Sequence, residues 1–270
     1  MRPHLFRLAT AFVRRDWLNE SSYRAMFIFE AINLVGSLVI FFAIGELVSE
    51  RPDTLVRYGG EYFPFALVGL AIGGYSSISL GAFANRVRQA QTTGTLEAML
   101  TTPTPGGIIL LFSGIWDYLV ATFRLCVYLL VGVVLFDVRF DVNVAAAAPL
   151  ALLSLIAFAA TGMLVAAVML VIKRGEAAAG VASLLTGIFG GLLFPVALLP
   201  ESIRPLHYLV PLYYSLDGLR RALLVGASPS EVAGSIFGLG VSAVALVVLA
   251  WVAVRLALWQ TRAAASIAQY

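Results

Sequence analysis

The chain reads as an all-α integral membrane protein with six transmembrane helices, and three features of the sequence predict this. Of its 270 residues 60% are hydrophobic and only 12% are charged, against roughly 25% charged in an ordinary soluble domain. Mean hydropathy is +0.92. Six apolar stretches, 26–48, 62–84, 107–136, 145–172, 177–198 and 235–259, each reach the roughly 20 residues that a helix needs to cross a bilayer.

Residues 1–25 precede the first span. Within 3–18, Leu5, Leu8, Ala9, Phe12 and Val13 fall on one side of a helix and Arg7 and Arg14 on the other, although Asp16 interrupts the apolar stripe. This pattern suits a cytoplasmic amphipathic helix lying in the inner interface, its arginines near anionic membrane lipid. Five arginines spread through the segment, and no short apolar run ends in a small-residue cleavage site, so a cleaved signal sequence is not expected. The first span carries Glu30 and Asn33 on one face near its cytoplasmic end.

The loop after the second span runs from Arg86 to Pro103. Thr95 can cap a short helix over about 95–103, and Glu97 in its first turn suits the positive end of the helix dipole. Leu96, Met99 and Leu100 then share a face, and Pro103 and Pro105 stop the helix. Such a knob suits docking into a partner's groove; a connector whose leucines dip into lipid fits the pattern equally. The third span contains Asp117 and Arg124, seven residues apart and about 10 Å along one face. Charge at this depth is costly unless paired or wet. The two residues therefore serve as structural ion pairs, snorkel to the interface, contact a partner subunit or line a polar path.

Lys173-Arg174-Gly175-Glu176 alone separates the fourth and fifth spans, which predicts a tight hairpin. After the fifth comes a segment broken by Pro200, Pro205 and Pro211, with Asp217, Arg220 and Arg221 spaced to pair along a short helix. Glycines four apart, Gly69 with Gly73, Gly187 with Gly191 and Gly234 with Gly238, favour close helix approach in lipid. Residues 260–270 form a cytoplasmic tail. With the amino terminus inside, cytoplasmic segments hold eleven basic residues and outer loops six, so both termini are expected in the cytoplasm.

Several chemistries are excluded. Lys173 is the only lysine and Arg174 follows it, so no phosphate-binding G-x-x-x-x-G-K-[ST] loop exists. His4 and His207 fall on opposite sides of the membrane, leaving no paired-histidine metal site and no histidine within a span for a hydrolase. The lone Cys126 cannot form an internal disulfide. A net charge of +3 gives no case for nucleic acid.

The string Gly94-Thr95-Leu96-Glu97-Ala98-Met99-Leu100-Thr101-Thr102-Pro103 resembles a segment of the ABC type-2 transporter permeases. So does the later run through Phe194-Pro195, Leu199-Pro200-Glu201, Pro211-Leu212-Tyr213-Tyr214 and Asp217-Gly218-Leu219-Arg220. That family exports drugs, polysaccharides and lipids. The resemblance implies that 95–103 is a coupling helix inserting into an ATP-binding-cassette ATPase subunit, with Glu97 meeting polar or basic groups. Lys173, Arg174 and Glu176 would form a second contact. Segment 199–224 would be a re-entrant outer element, with Pro195, Glu201, Tyr213, Tyr214, Asp217 and Arg220 at an outer gate, and Glu30, Asn33, Asp117 and Arg124 along the path. The chain itself would hold no cofactor; ATP and Mg would sit on the partner ATPase. Two permease copies, as a homodimer in the cytoplasmic (inner) membrane, would complete the exporter. A stand-alone ion-coupled carrier and a non-transporting scaffold subunit are the alternatives; the first would need midplane acids and an internal repeat, and no repeat is visible between the halves.

Overall fold

The computed structural model describes residues 10, 12–14, 16–18, 24–47, 53–92, 106–171 and 176–267. The expected coupling helix at 95–103, with Thr95, Leu96, Glu97, Met99 and Leu100, lies outside the described residues, as do Lys173, Arg174 and most of the amino-terminal amphipathic segment. Among the described residues the chain is helical and contains no strand. The elements are α1 (Arg24–Leu47), α2 (Asp53–Val56), α3 (Tyr62–Thr92), α4 (Gly106–Ser113), α5 (Ile115–Phe136), α6 (Val144–Val171), α7 (Glu176–Gly190), α8 (Pro211–Leu224) and α9 (Ala233–Ile267). Two short 3-10 turns, Val196–Leu198 and Arg204–Leu209, lie between α7 and α8.

Five of these helices are long and apolar enough to cross a membrane: α1, α3, α5, α6 and α9. Two expected spans come out differently. The stretch 107–136 is two helices, because the chain breaks at Gly114. A Cβ at Gly114 would stand 2.5 Å from the Phe83 ring, so the break lets α3 press its aromatic side chain against the α4–α5 corner. The fifth stretch, 177–198, is helical only as far as Gly190. Gly191 then takes φ +71, a left-handed conformation that ends helices and that glycine adopts without steric cost. Beyond it Pro195 fixes an extended backbone before the first 3-10 turn. The sixth helix, expected to end near 259, continues to Ile267.

The helices pack around α6, which lies against α9 on one side and α3 on the other. At the end of the bundle that holds α8, Val68 and Ile72 of α3, Leu150 and Phe158 of α6, Leu212 and Leu216 of α8 and Leu239 of α9 form one apolar core. A second core at the opposite end joins Phe83, Ala166, Leu170 and Val254. A smaller third joins Leu34 and Leu38 of α1 to Phe63 and Leu67 of α3. At 25 cal/mol per Å2, each buried leucine side chain would contribute about 2 kcal/mol in water; between spans the gain comes instead from close packing, since lipid is as apolar as leucine. Asn143 sets the start of α6, its side-chain Oδ1 accepting the Ala146 N–H, which satisfies one of the first-turn donors.

Candidate functional site

The most heavily bonded polar cluster lies on α8. Pro211 opens this helix at a position where a missing N–H costs nothing. Its consecutive residues Ser215 through Arg220 are all buried. Asp217 accepts hydrogen bonds from Arg57 Nη2 at 3.1 Å, Tyr58 Oη at 2.8 Å and Ser235 Oγ at 2.6 Å. It thereby ties the turn after α2 and the start of α9 to α8. Burial, and then the negative charge of Asp217, push the Tyr58 hydroxyl well above its ordinary pKa, so it stays a proton donor.

Arg220 points elsewhere. Its Nε donates to the Phe65 carbonyl at 3.1 Å, and Nη1 and Nη2 donate to the carbonyls of Gly191 and Leu192, each at 2.7 Å. Its guanidinium carbon lies 3.5 Å over the Phe65 ring, a cation–π arrangement. Carbonyls just beyond a helix end lack intrahelical donors, and Arg220 supplies them where α7 stops. Burial lowers its pKa to about 9, with Tyr58 and Asp217 pulling it back up, so the group is charged at neutral pH. Gly69 makes room for this contact: a Cβ there would stand 2.1 Å from the Leu192 carbonyl oxygen and 2.4 Å from Arg220 Nη2.

This corrects half of the pairing expected from spacing. Arg221 does pair with Asp217, one turn away, as a salt bridge at 4.0 Å, but Asp217 and Arg220 do not bond each other. The three- and four-residue rule describes side chains along a solvated helix face; on a buried helix, partners on other elements win. Of the other residues expected at an outer gate, Pro195 is buried, Glu201 is exposed and Tyr213 and Tyr214 are half-buried. The two tyrosines stack edge-on at 5.2 Å, and His207 packs 4.2 Å from Tyr213.

Away from α8 the charges form two cross-helix pairs. Arg86 grips Asp117 through Nε and Nη2 at 3.1 and 2.9 Å, and Nη1 lies 3.6 Å from Asp16. Arg124 pairs with Glu30 of α1. Asp117 and Arg124, grouped by spacing, thus take counter-ions on different elements. Asn33 is exposed on α1, and Glu176 opens α7.

A cavity of about 470 Å3 separates α3 from α7. Ser76 and Ser77 line one wall, Ser183 and Thr186 the other, and Leu192 and Phe194 line it together with Leu212 of α8. A second cavity of about 320 Å3 continues along α3 past Gly81 and Asn85 to Arg86, Gln89 and Asp117. Ser77 lines both. Apart from Asp117, none of these lining residues was among those expected from sequence, nor were Arg57, Tyr58 and Ser235. Ser76, Ser77 and Asn85 in an otherwise largely apolar stretch were the available signal for the cavity. Nothing in the spacing could have joined Arg57 to Asp217 across 160 positions. No group of three or more histidine, cysteine or acidic residues able to hold a metal occurs among the described residues.

Several apolar helices long enough to span, an interrupted α7 and a largely apolar groove dotted with hydroxyls define a multi-pass membrane protein. Residues 60–252 match the family described as ABC-2 family transporter protein, and the chain belongs to it. Permeases of this family are the membrane component of an ABC transporter and generally work with an ATPase subunit. Among curated proteins no sequence matches significantly.

Proposed function

We propose that this chain is the permease subunit of an ATP-binding-cassette exporter of the inner membrane, with both termini cytoplasmic. It works with a second permease copy, and ATP and Mg are bound by a separate ATPase. The cavity that runs along α3 is the observation that carries this reading: the spanning part of the helix keeps Ser76, Ser77 and Asn85 on a face lined by open space, and polar groups at membrane depth are retained where they meet a cargo or water. Cargo moves along this groove, and the α8 hub forms part of the outer gate.

Coupling to the ATPase runs through the segment 95–103, where Leu96, Met99 and Leu100 give an apolar knob and Thr95 and Glu97 its capped start. Lys173, Arg174 and Glu176 make the second contact. ATP binding favours one arrangement of the helices and the inner segment transmits it. The test is co-expression with a candidate ATP-binding-cassette ATPase subunit, followed by ATP-dependent transport in proteoliposomes. Glu97→Arg should abolish coupled transport at matched expression. Full transport driven by an ion gradient without ATPase would replace this reading with a stand-alone carrier.

A further inference from the structure

Outside the groove and the hub, the carboxy-terminal part of α9 carries an arginine between two tryptophans. Ala243, Ala250, Val254 and Ala257 are buried against the bundle, which fixes the rotation of the helix. Trp251, Arg255 and Trp259, spaced four residues apart, therefore face outward, the indoles 61% and 67% exposed. Val248, Val252 and Leu256 continue that exposed face. The guanidinium carbon of Arg255 lies 5.4 Å from the Trp251 ring centroid, within the range of a cation–π contact. Arg57, Arg86, Arg124 and Arg221 each reach a carboxylate. Arg255 reaches none among the described residues, and its own helix offers none, since no acidic residue occurs from 232 to 270. At the other end of α9 the exposed Pro229, Ser230 and Glu231 put its start in the polar phase. From Ala233 to Arg255 the helix rises about 33 Å, slightly more than a hydrocarbon core of about 30 Å. The arginine thus stands at the opposite membrane boundary.

We infer that this surface binds an anionic phospholipid of the adjoining leaflet, its phosphate on Arg255 and its acyl chains along Val248, Val252 and Leu256. Stacking uses the face of the guanidinium and leaves its edge N–H groups to grip two phosphate oxygens as a fork. Trp251 and Trp259 bracket the phosphate level, where an indole keeps its ring in apolar surroundings while its N–H can donate. A zwitterionic lipid offers the same phosphate but brings its own ammonium group, so a cation without a counter-ion favours the anionic head group. An arginine that merely snorkels to water would show no such preference. The inference needs only that α9 spans the membrane, not the exporter reading; the topology proposed above makes this leaflet the cytoplasmic one.

The indoles themselves report on the site. In a background of Trp17→Phe with Trp116→Phe, whose rings stack on each other, Trp251 and Trp259 are the only tryptophans left. The protein is placed in nanodiscs of mixed phosphatidylglycerol and phosphatidylcholine, with brominated chains on one lipid or the other to quench fluorescence. Quenching at equal mole fraction should show a preference for phosphatidylglycerol of about five-fold, the factor expected from one basic residue at an anionic surface. Arg255→Gln should abolish the preference, and Arg255→Lys, which keeps the charge but loses the fork, should retain part of it. Should the background variant fold poorly, the phosphatidylglycerol retained per chain after detergent extraction from mixed vesicles is a second readout in the otherwise native protein, and Arg255→Gln should lower it. Equal quenching by the two lipids would overturn the inference, as would a preference that survives Arg255→Gln. Loss of the preference in excess inorganic phosphate at constant ionic strength would mean that Arg255 takes a free anion, and the lipid assignment would fall.

Discussion

The α8 hub and the Glu30–Arg124 pair are both made of charge inside an apolar protein, yet they are built in opposite ways. In the hub, Asp217 and Arg220 are almost wholly buried, and the two side chains share six hydrogen bonds to four other segments. Glu30 and Arg124 bond chiefly to one another and remain 33% and 37% exposed. Between these extremes stands Arg86, 15% exposed with Asp117 and Asp16 as counter-ions. A buried charge is tolerated when its polar atoms have partners. The hub meets that condition by taking partners from α3, α9 and the turns that follow α2 and α7, and so becomes the place where those segments are fixed to one another. The exposed pair constrains only α1 against α5.

Removing Arg220 should give the largest effect. Arg220→Leu leaves the Phe65, Gly191 and Leu192 carbonyls without their donors, and loss of one partner in a buried charged network typically costs about 3–5 kcal/mol. A fall in thermal midpoint of the purified protein measures this. Faster labelling of Ser183→Cys in the same background would show that the end of α7 has come away from α3. Gly69→Ala attacks the same contact by crowding and should cost about 1–3 kcal/mol. It should reproduce the labelling change without removing any charge; normal behaviour of this variant would show that the Arg220–Leu192 contact does not set the groove.

Asp117→Ala comes next. It strips Arg86 of its bidentate partner, a half-buried charged hydrogen bond whose loss costs about 1.5–3 kcal/mol. Exchanging the pair as Arg86→Asp with Asp117→Arg should recover part of the loss, which would separate the ion pair from either side chain's packing. Glu30→Gln should change stability by less than about 1 kcal/mol, since both partners are more than a quarter exposed and such pairs are weak. An effect as large as that of Arg220→Leu would erase the distinction between the two regions.

The smallest effect belongs to the loop before α9. Glu231 accepts hydrogen bonds from the Ser228 N–H and hydroxyl at 2.6 and 2.7 Å, and these hold its pKa below the usual glutamate range. The folded pKa lies below the unfolded one, so the stabilisation is complete above the unfolded value and fades as pH falls through the folded value. Glu231→Gln should flatten that acid limb of the thermal midpoint and leave neutral pH almost unchanged.

How much of this was legible in the sequence varies by element. The spans at 26–48, 62–84 and 145–172 were readable because α1, α3 and α6 are uninterrupted runs of apolar residues, and hydropathy measures that directly. The split of 107–136 at Gly114 was not, because Gly114 lies in an apolar run and its break depends on the Phe83 ring. The end of α7 at Gly190 was half-legible. Gly191 and Pro195 are helix-ending residues, but glycines also occur inside spanning helices, and only the Arg220 contact to the Gly191 and Leu192 carbonyls shows why the chain stops there. The polar residues of the candidate site were visible one by one; their partners were not, since Asp217 and Arg57 meet only after α8 has been buried.

By itself the sequence determined that this is a helical membrane protein, where most of its helices lie and which family strings it carries. These properties follow from the transfer of backbone and side chains into lipid, which depends on local composition and length. Tertiary structure decided which charges pair, where helices break and where an open groove remains. Those outcomes depend on the distance between groups far apart in the chain, and short-range pattern carries no record of that distance until the helices have packed.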